Sequence, residues 1–285
     1  MIIMKIQKVK DIKKSVKKYY DKSTEEEWDR LFVNPYHKLE WDTTQIFLKK
    51  YLPKKGLILD AGAGPGRYSI DLAKKGYNMV ILDIAKENIN LAKEKVKIKK
   101  QENKIKEFVL GTIVNLSKFK NNSFDAVICL GGPLSHVKEK NRKIAINELI
   151  RVAKKNAPIF ISVMGRYAIL LNAIKYWPSE IRNSAHFNKI YINGDDFNWG
   201  YKKQGFGTYC HFFTVEELNN LWPKNKIEIL DVVGLEGLTS TQKKEYNKIK
   251  DKIILKNWLK AHKKLCTTRI IADISTHILT IMKKK

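Results

Sequence analysis

The sequence predicts an α/β protein built on one mostly parallel sheet with helices on both faces, and three observations carry that prediction. From residue 56 onward, short apolar runs alternate with stretches of helical period, the pattern of strands joined by crossover helices. A glycine-rich turn, "AGAGPG" (61–66), directly follows the first run, where a tight passage from strand to helix needs residues without a side chain. A length of 285 residues with 44% hydrophobic content is enough to bury a full core, so one large domain with insertions is expected.

Taken in order, residues 1–55 read as helical and polar. "VKDIKKSVKKYYDKSTEEEWDRLF" carries apolar positions at helical spacing, Ser23 and Glu26 fit a capping box, and "KLEWDTTQIFLKKYL" ends at Pro53. The strands that follow are Leu57–Asp60, Met79–Asp83, Glu107–Leu110, Ala126–Leu130 and Pro158–Val163, with helices Arg67–Lys75, Lys86–Val96 and Arg142–Ala153 between most of them. Residues 166–212 break the alternation and read as an insertion after strand 5, rich in aromatic, glycine and asparagine residues. Thr214 with Glu217 opens another helix; "KIEILDVVGLEGL" supplies a sixth strand, "KKEYNKIKDKIILKNWLKAHKKL" one or two helices, and "THILTIMKKK" a seventh strand. No internal repeat or low-complexity linker interrupts the chain.

Composition narrows the classes. No apolar run approaches the roughly 20 residues that span a bilayer, and the "MIIM" start lacks a signal-peptide core, so a cytoplasmic protein without a membrane partner is expected. Cys129, Cys210 and Cys266 form no CxxC pair and are expected to be reduced and buried, and no residue is assigned to a metal. The formal charge of +26 invites a nucleic-acid partner, but lysine is scattered through nearly every segment and only seven of the 55 basic residues are arginine, the side chain suited to bidentate phosphate and guanine contacts. A lysine-rich solvated face explains the charge more simply.

Spacing separates the ligands that the glycine turn could accept. A phosphate loop needs GxxxxGK[ST], and no Gly-Lys-Ser/Thr occurs. A dinucleotide fold needs a third glycine where this chain has Arg67. What remains is Asp60-x-Gly62-x-Gly64-x-Gly66, glycines that allow close backbone approach behind an acid suited to a positively charged ligand group. Asp83, closing the next strand, offers two acceptor oxygens in one plane for a pair of ribose hydroxyls.

With those residues in view, "LILDAGAGPGRYSIDLAKKGYNMVILDIAKENINLAKEK" and "SFDAVICLGGPLSHV" resemble the first two motifs and the post-strand-4 motif of the class I S-adenosylmethionine-dependent methyltransferases, and "HFFTVEEL" resembles the helix start after their fifth strand. The resemblance is strong over residues 45–165. It implies a Rossmann-like, seven-stranded, mostly parallel sheet and a single methyltransferase domain. Within that domain, 1–55 would form a helical cap, 56–165 the cofactor-binding core, 166–212 a cap insertion and 213–285 the rest of the sheet with a helical insertion. Carried over by position, Asp60, Gly62, Gly64 and Gly66 would line the amino-acid and ribose part of S-adenosyl-L-methionine, Asp83 would hold the ribose, Ile84 would pack on adenine, and Leu130 and Gly131 would sit beside the sulfonium. Where many members carry Gly-Asp after the third strand this chain has Gly111-Thr112, so Thr112 would make the adenine contact.

For catalysis the resemblance and the residues together point to His136, a few positions after the fourth strand, where a neutral imidazole could accept or orient the acceptor's proton. Tyr19 and Tyr20 resemble the segment that folds over the cofactor in related small-molecule enzymes, with Tyr20 the second catalytic candidate. Arg166, Tyr167 and His211 are weaker candidates for the same pocket. Trp177, Phe187, Tyr191, Phe197, Trp199, Tyr201 and Phe206 in the insertion would cap it or simply pack on the sheet. The expected activity is methyl transfer to a small-molecule acceptor; an RNA or protein methyltransferase and a non-catalytic adenosylmethionine-binding protein are the alternatives. No RNA-binding module and no Asn-Pro-Pro-Tyr-like or Pro-Cys motif supports the former.

Overall fold

The computed structural model describes residues 11–199 and 207–285. Five strands, β1 (Leu57–Ala61), β2 (Asn78–Asp83), β3 (Ile105–Leu110), β4 (Ala126–Cys129) and β5 (Pro158–Met164), run parallel in the order β3-β2-β1-β4-β5. β9 (His277–Lys284) adds antiparallel to β5, and β8 (Ile227–Gly234) completes the seven-stranded sheet on the far side of β9. Sequence order reverses between β1 and β4, and in an open parallel sheet the loops leaving the strands' carboxyl ends part there and leave a crevice.

Period-two burial builds both layers. Leu59, Val127, Ile159 and Ile161 point to the face covered by α6 (Glu139–Val152) through Leu149 and Ile150. Ile58, Ile128 and Phe160 point the other way, toward Phe47 and Leu48 of the cap helix α3 (Pro35–Tyr51) and Leu72 of α4 (Arg67–Lys74). That inner-face alternation, with every one of these strand residues fully buried, is the signal that made the strands legible.

Several elements differ in detail from the sequence expectation. Ser23 makes no capping box; its hydroxyl donates back to the Tyr19 carbonyl at 3.1 Å because α1 (Ile12–Lys22) ends there, and α2 (Thr24–Asp29) starts without a side-chain cap. α6 starts at Glu139, three residues early, with an acid in its positive first turn. The insertion has more regular structure than its aperiodic sequence suggests: α7 (Arg166–Tyr176), short helices Pro178–Arg182 and Ser184–Asn188, a π turn, and a two-stranded ribbon of β6 (Asp195–Trp199) and β7 (Thr208–His211).

The Thr214 capping box forms in full: Glu217 N–H donates to Thr214 Oγ1 at 3.1 Å and Thr214 N–H to Glu217 Oε2 at 2.9 Å. Thr214→Ala is expected to cost about 1 kcal/mol in urea unfolding, with an unchanged m-value.

Candidate functional site

β1 ends in the glycine turn at the crevice. Gly62 and Ala63 donate to the Leu82 carbonyl at 2.7 and 2.9 Å, tying the turn to the end of β2, and Gly62 and Gly64 both take positive φ. A Cβ on Gly62 would stand 2.5 Å from Pro133, so the turn lies directly against the loop after β4. A Cβ on Gly64 would meet nothing within 4 Å, because that glycine faces open space. Arg67, which replaces the dinucleotide glycine, lines the rim of this space with its guanidinium held by Trp28: it stacks 3.7 Å from the Trp28 ring and Nε donates to the Trp28 carbonyl, clamping α4 to α2.

The open space is a cavity of about 630 Å³. Gly62, Gly64, Asp83, Ile84, Thr112, Leu130, Gly131, His136 and Tyr20 all line it, so residues chosen from five separate stretches of sequence converge on one place. Asp60 and Gly66 do not line it. Asp60 is 1% exposed, accepts from Ser69 Oγ at 2.7 Å behind the turn, and is pushed up to about 7 by burial. Gly66 is the left-handed cap of α4, pressed toward Ala92 and Ile81.

Asp83 is itself part of the scaffold. Its Oδ2 accepts from Gly64 N–H at 2.8 Å, and Oδ1 accepts from Ala85 N–H and Asn88 Nδ2 at 2.8 and 3.1 Å. Burial raises its pKa despite these donors. Oδ1 therefore has both acceptor positions filled and Oδ2 keeps one. Asn88, buried at the start of α5 (Lys86–Ile98), also lines the cavity, and its Oδ1 has no partner. Sequence reasoning missed Asn88; the only signal was an amide five residues after the strand-end acid, on the first turn of the next helix.

Tyr20 and His136, 116 residues apart in the chain, meet at 2.7 Å between Oη and Nε2. His136 Nδ1 lies 2.7 Å from the Tyr209 carbonyl, which can only accept, so Nδ1 carries the proton and Nε2 receives the Tyr20 O–H. Burial lowers His136 to about 4 and raises Tyr20 well above its ordinary value, so both stay neutral at physiological pH.

Beyond Tyr20 lies a second cavity of about 790 Å³, and Tyr20, Glu27, Arg30 and Gly131 line both. Tyr19, Tyr36, Tyr176, Trp177 and Phe187 give it aromatic walls. Arg30 donates to both Glu40 carboxylate oxygens, at 2.6 and 3.0 Å, and its Nε lies 3.4 Å from Glu27. Below it, His277 Nδ1 lies 2.6 Å from Glu236 and 3.6 Å from Glu40, and Glu236 also accepts from Ser275 Oγ and His277 N–H. Glu40, Glu236 and His277 bring ligand-type atoms within 4.8 Å of one another, but the guanidinium and the imidazole already neutralise the two carboxylates.

Arg166, Tyr167 and His211 line neither cavity. Arg166 donates to the Phe212 carbonyl and Glu217, His211 pairs with Asp195 at 2.7 Å, and Tyr167 is exposed. In the insertion, Trp177 and Phe187 reach the second cavity, Phe197 packs on Tyr209 and Tyr191 is exposed. Tyr201, Phe206 and the Trp199 side chain lie outside the described residues.

Comparison with known proteins agrees with this architecture. Residues 58–156 match the family model described as "Methyltransferase domain". A relative named putative methyltransferase YqeM, from Bacillus subtilis strain 168, is 28% identical over 130 residues, 45% of this chain and 51% of the relative, so the chain spans about half the length of the curated relative it matches. Among solved structures, an S-adenosylmethionine-dependent methyltransferase from Methanosarcina mazei shares the fold with TM-score 0.55 and 21% identity, covering 84% of this chain and 96% of the other. The Burkholderia thailandensis 1,6-didemethyltoxoflavin-N1-methyltransferase does so with TM-score 0.55 and 13% identity, covering 95% and 87%. Residues 58–156 therefore carry a methyltransferase domain, in the fold shared with S-adenosylmethionine-dependent methyltransferases. S-adenosylmethionine is the cofactor of that class.

Proposed function

We propose that this protein transfers a methyl group from S-adenosylmethionine to a small-molecule acceptor, with the donor in the first cavity and the acceptor in the second. The observation that carries the reading is the shared wall of Tyr20, Glu27, Arg30 and Gly131, where two clefts of ligand size meet beside the glycine turn. When bound, the cofactor supplies an electrophilic methyl on a sulfonium. Gly64 leaves room for its close approach, and the ribose hydroxyls divide between the remaining position on Asp83 Oδ2 and the unpartnered Asn88 Oδ1. Ile84 and Thr112 flank the adenine, and Leu130 with Gly131 borders the sulfonium. Asp60 and Gly66 act from behind by shaping the turn.

His136 orients rather than deprotonates, since both ring nitrogens are engaged, and it holds the Tyr20 oxygen at the junction. Walls from α1–α3 and the insertion fix where an acceptor can lie, so much of the acceleration comes from holding acceptor and donor in line. No helix among the described residues is long and apolar enough to cross a membrane, and the three free, buried cysteines suit a reducing compartment such as the cytoplasm.

The test is a partition. Incubated with methyl-labelled cofactor and fractionated cell extract, the protein should label small metabolites; label in RNA or protein would refute the acceptor reading. Gly64→Val fills the cradle and is expected to abolish labelling with the fold retained by circular dichroism. Unchanged cofactor affinity in that variant would refute the donor site.

A further inference from the structure

The junction between the cavities is where a proton acceptor or a counter-charge for the acceptor's reacting atom would have to stand. Among the described residues, the groups lining both cavities are Tyr20, Glu27, Arg30 and Gly131. Each can be asked what it offers.

Tyr20 offers an oxygen lone pair and no base. Its proton points to His136 Nε2 at 2.7 Å, and His136 in turn donates from Nδ1 to the Tyr209 carbonyl at 2.7 Å. A proton passed through Tyr20 would come to rest on a buried imidazole with no acidic side chain at its other nitrogen, only a neutral carbonyl. The lowering of His136 to about 4 by burial agrees with that geometry. Arg30 is always protonated, but two carboxylates face it, Glu40 on both terminal nitrogens and Glu27 at 3.4 Å from Nε, so the cluster carries no net positive charge with which to hold an anion. Further into the acceptor cavity, Lys243 Nζ is seated on His37 Nε2 at 2.6 Å and Lys244 stands over the Tyr176 ring at 5.8 Å. Glu27 is a carboxylate, too weak a base to strip an alcohol.

From this arrangement we infer that the methyl acceptor is an uncharged nitrogen base, an amine or a ring nitrogen, that attacks through a lone pair it already carries. The inference rests on the donor and acceptor cavities proposed above and adds the class of reacting atom. An alcohol or phenol would need a base at the junction; a phenolate, carboxylate or thiolate would need a cation there. A nitrogen base needs neither. The N–C bond forms as the S–C bond breaks, the positive charge moves from sulfur to nitrogen, and any N–H proton stays on the new ammonium until the released product gives it to water. Tyr20, its own proton committed to His136, can only accept at the junction, so it takes an acceptor N–H and turns the nitrogen lone pair toward the methyl.

The experiment incubates the full chain with methyl-labelled S-adenosylmethionine and compounds that share one aromatic scaffold and differ in the reacting group: imidazole, primary amine, tertiary amine, phenol, alcohol, carboxylic acid and thiol. Label is expected in the nitrogen compounds at least about a hundredfold faster than in the others, the span a missing general base accounts for. Tyr20→Phe is expected to lower kcat/KM for the best primary amine about tenfold, the worth of one oriented hydrogen bond, and to leave the tertiary amine within about threefold. Comparable label in the phenol, alcohol, carboxylic acid or thiol, no label in any nitrogen compound, or a loss of about a thousandfold in Tyr20→Phe would each overturn it. Calorimetry of cofactor binding on the same preparation separates the layers. Absent binding refutes the donor reading, whereas binding with label on oxygen or sulfur refutes the nitrogen inference alone.

Discussion

Asp83→Ala is expected to weaken S-adenosylmethionine binding about a hundredfold, read by calorimetry, with the melting temperature of the ligand-free protein changed far less than its cofactor affinity. Two losses combine. A hydrogen bond from a ribose hydroxyl to an ionised oxygen is worth about 1.5–3 kcal/mol. Removing the carboxylate also releases Gly64 N–H, Ala85 N–H and Asn88 Nδ2, so the turn and the first residues of α5 lose the group that sets their separation. Asp83→Asn separates the two. It keeps an acceptor for Gly64 while presenting a neutral amide, and should recover a few-fold of the loss but not all of it. An Asp83→Ala affinity within threefold of the parent would mean that the cavity's ligand does not engage this carboxylate. Asn88→Ala tests the companion acceptor: it should cost less than Asp83→Ala, since Asn88 supports one oxygen of Asp83 and contributes one acceptor of its own.

What the sequence made legible, and what it did not, follows the range of the interactions. β1, β2 and β4 stood out because strands buried on both faces are continuous apolar runs, and Gly62 and Gly64 because positive φ, against Pro133 in the one and beside open space in the other, leaves a local residue signature. Tyr20 and His136 could each be picked by position, but nothing in a one-dimensional pattern says that they lie 2.7 Å apart or that the histidine's other nitrogen is spent on the Tyr209 carbonyl. That second bond is why the proposed reaction uses His136 as a brace and not as a base. The second cavity was less legible still. Its floor joins Arg30 and Glu40 of the cap to Glu236 after β8 and His277 at the start of β9, residues separated by more than half the chain and each unremarkable in its own stretch. Ser23 shows the converse: a correct local motif was overruled because the preceding helix runs on into it and takes the hydroxyl.

That floor should also be the point where loss of one side chain costs the most stability. Glu40 is 2% exposed and accepts two hydrogen bonds from Arg30 with His277 3.6 Å away. Glu40→Ala leaves a buried guanidinium facing the two cavities with only Glu27 nearby, and His277 dependent on Glu236 alone, so a loss of about 3–5 kcal/mol in urea unfolding is expected. Glu40→Gln, which still offers one acceptor, should lose less. The pH dependence has a definite sign. Burial alone would raise Glu40, but Arg30 and His277 hold it down at about 2, so its contribution is complete above the ordinary carboxylate range and disappears as pH falls toward 2. His277 runs the other way: burial would lower it, the Glu40 and Glu236 carboxylates outweigh that, and the raised pKa means a contribution complete below about 6.5 that fades as pH rises through the folded value. The difference between parent and Glu40→Ala should therefore be greatest around pH 5–6 and shrink on both sides. A difference that does not vary from pH 3 to pH 9 would show that packing, rather than the ion pairs, holds the cap to the sheet. Because Arg30 lines both cavities, the same charges that fasten the N-terminal helices also fix the wall between them, and on the proposed assignment Glu40→Gln should uncouple the two: cofactor affinity retained, acceptor KM raised.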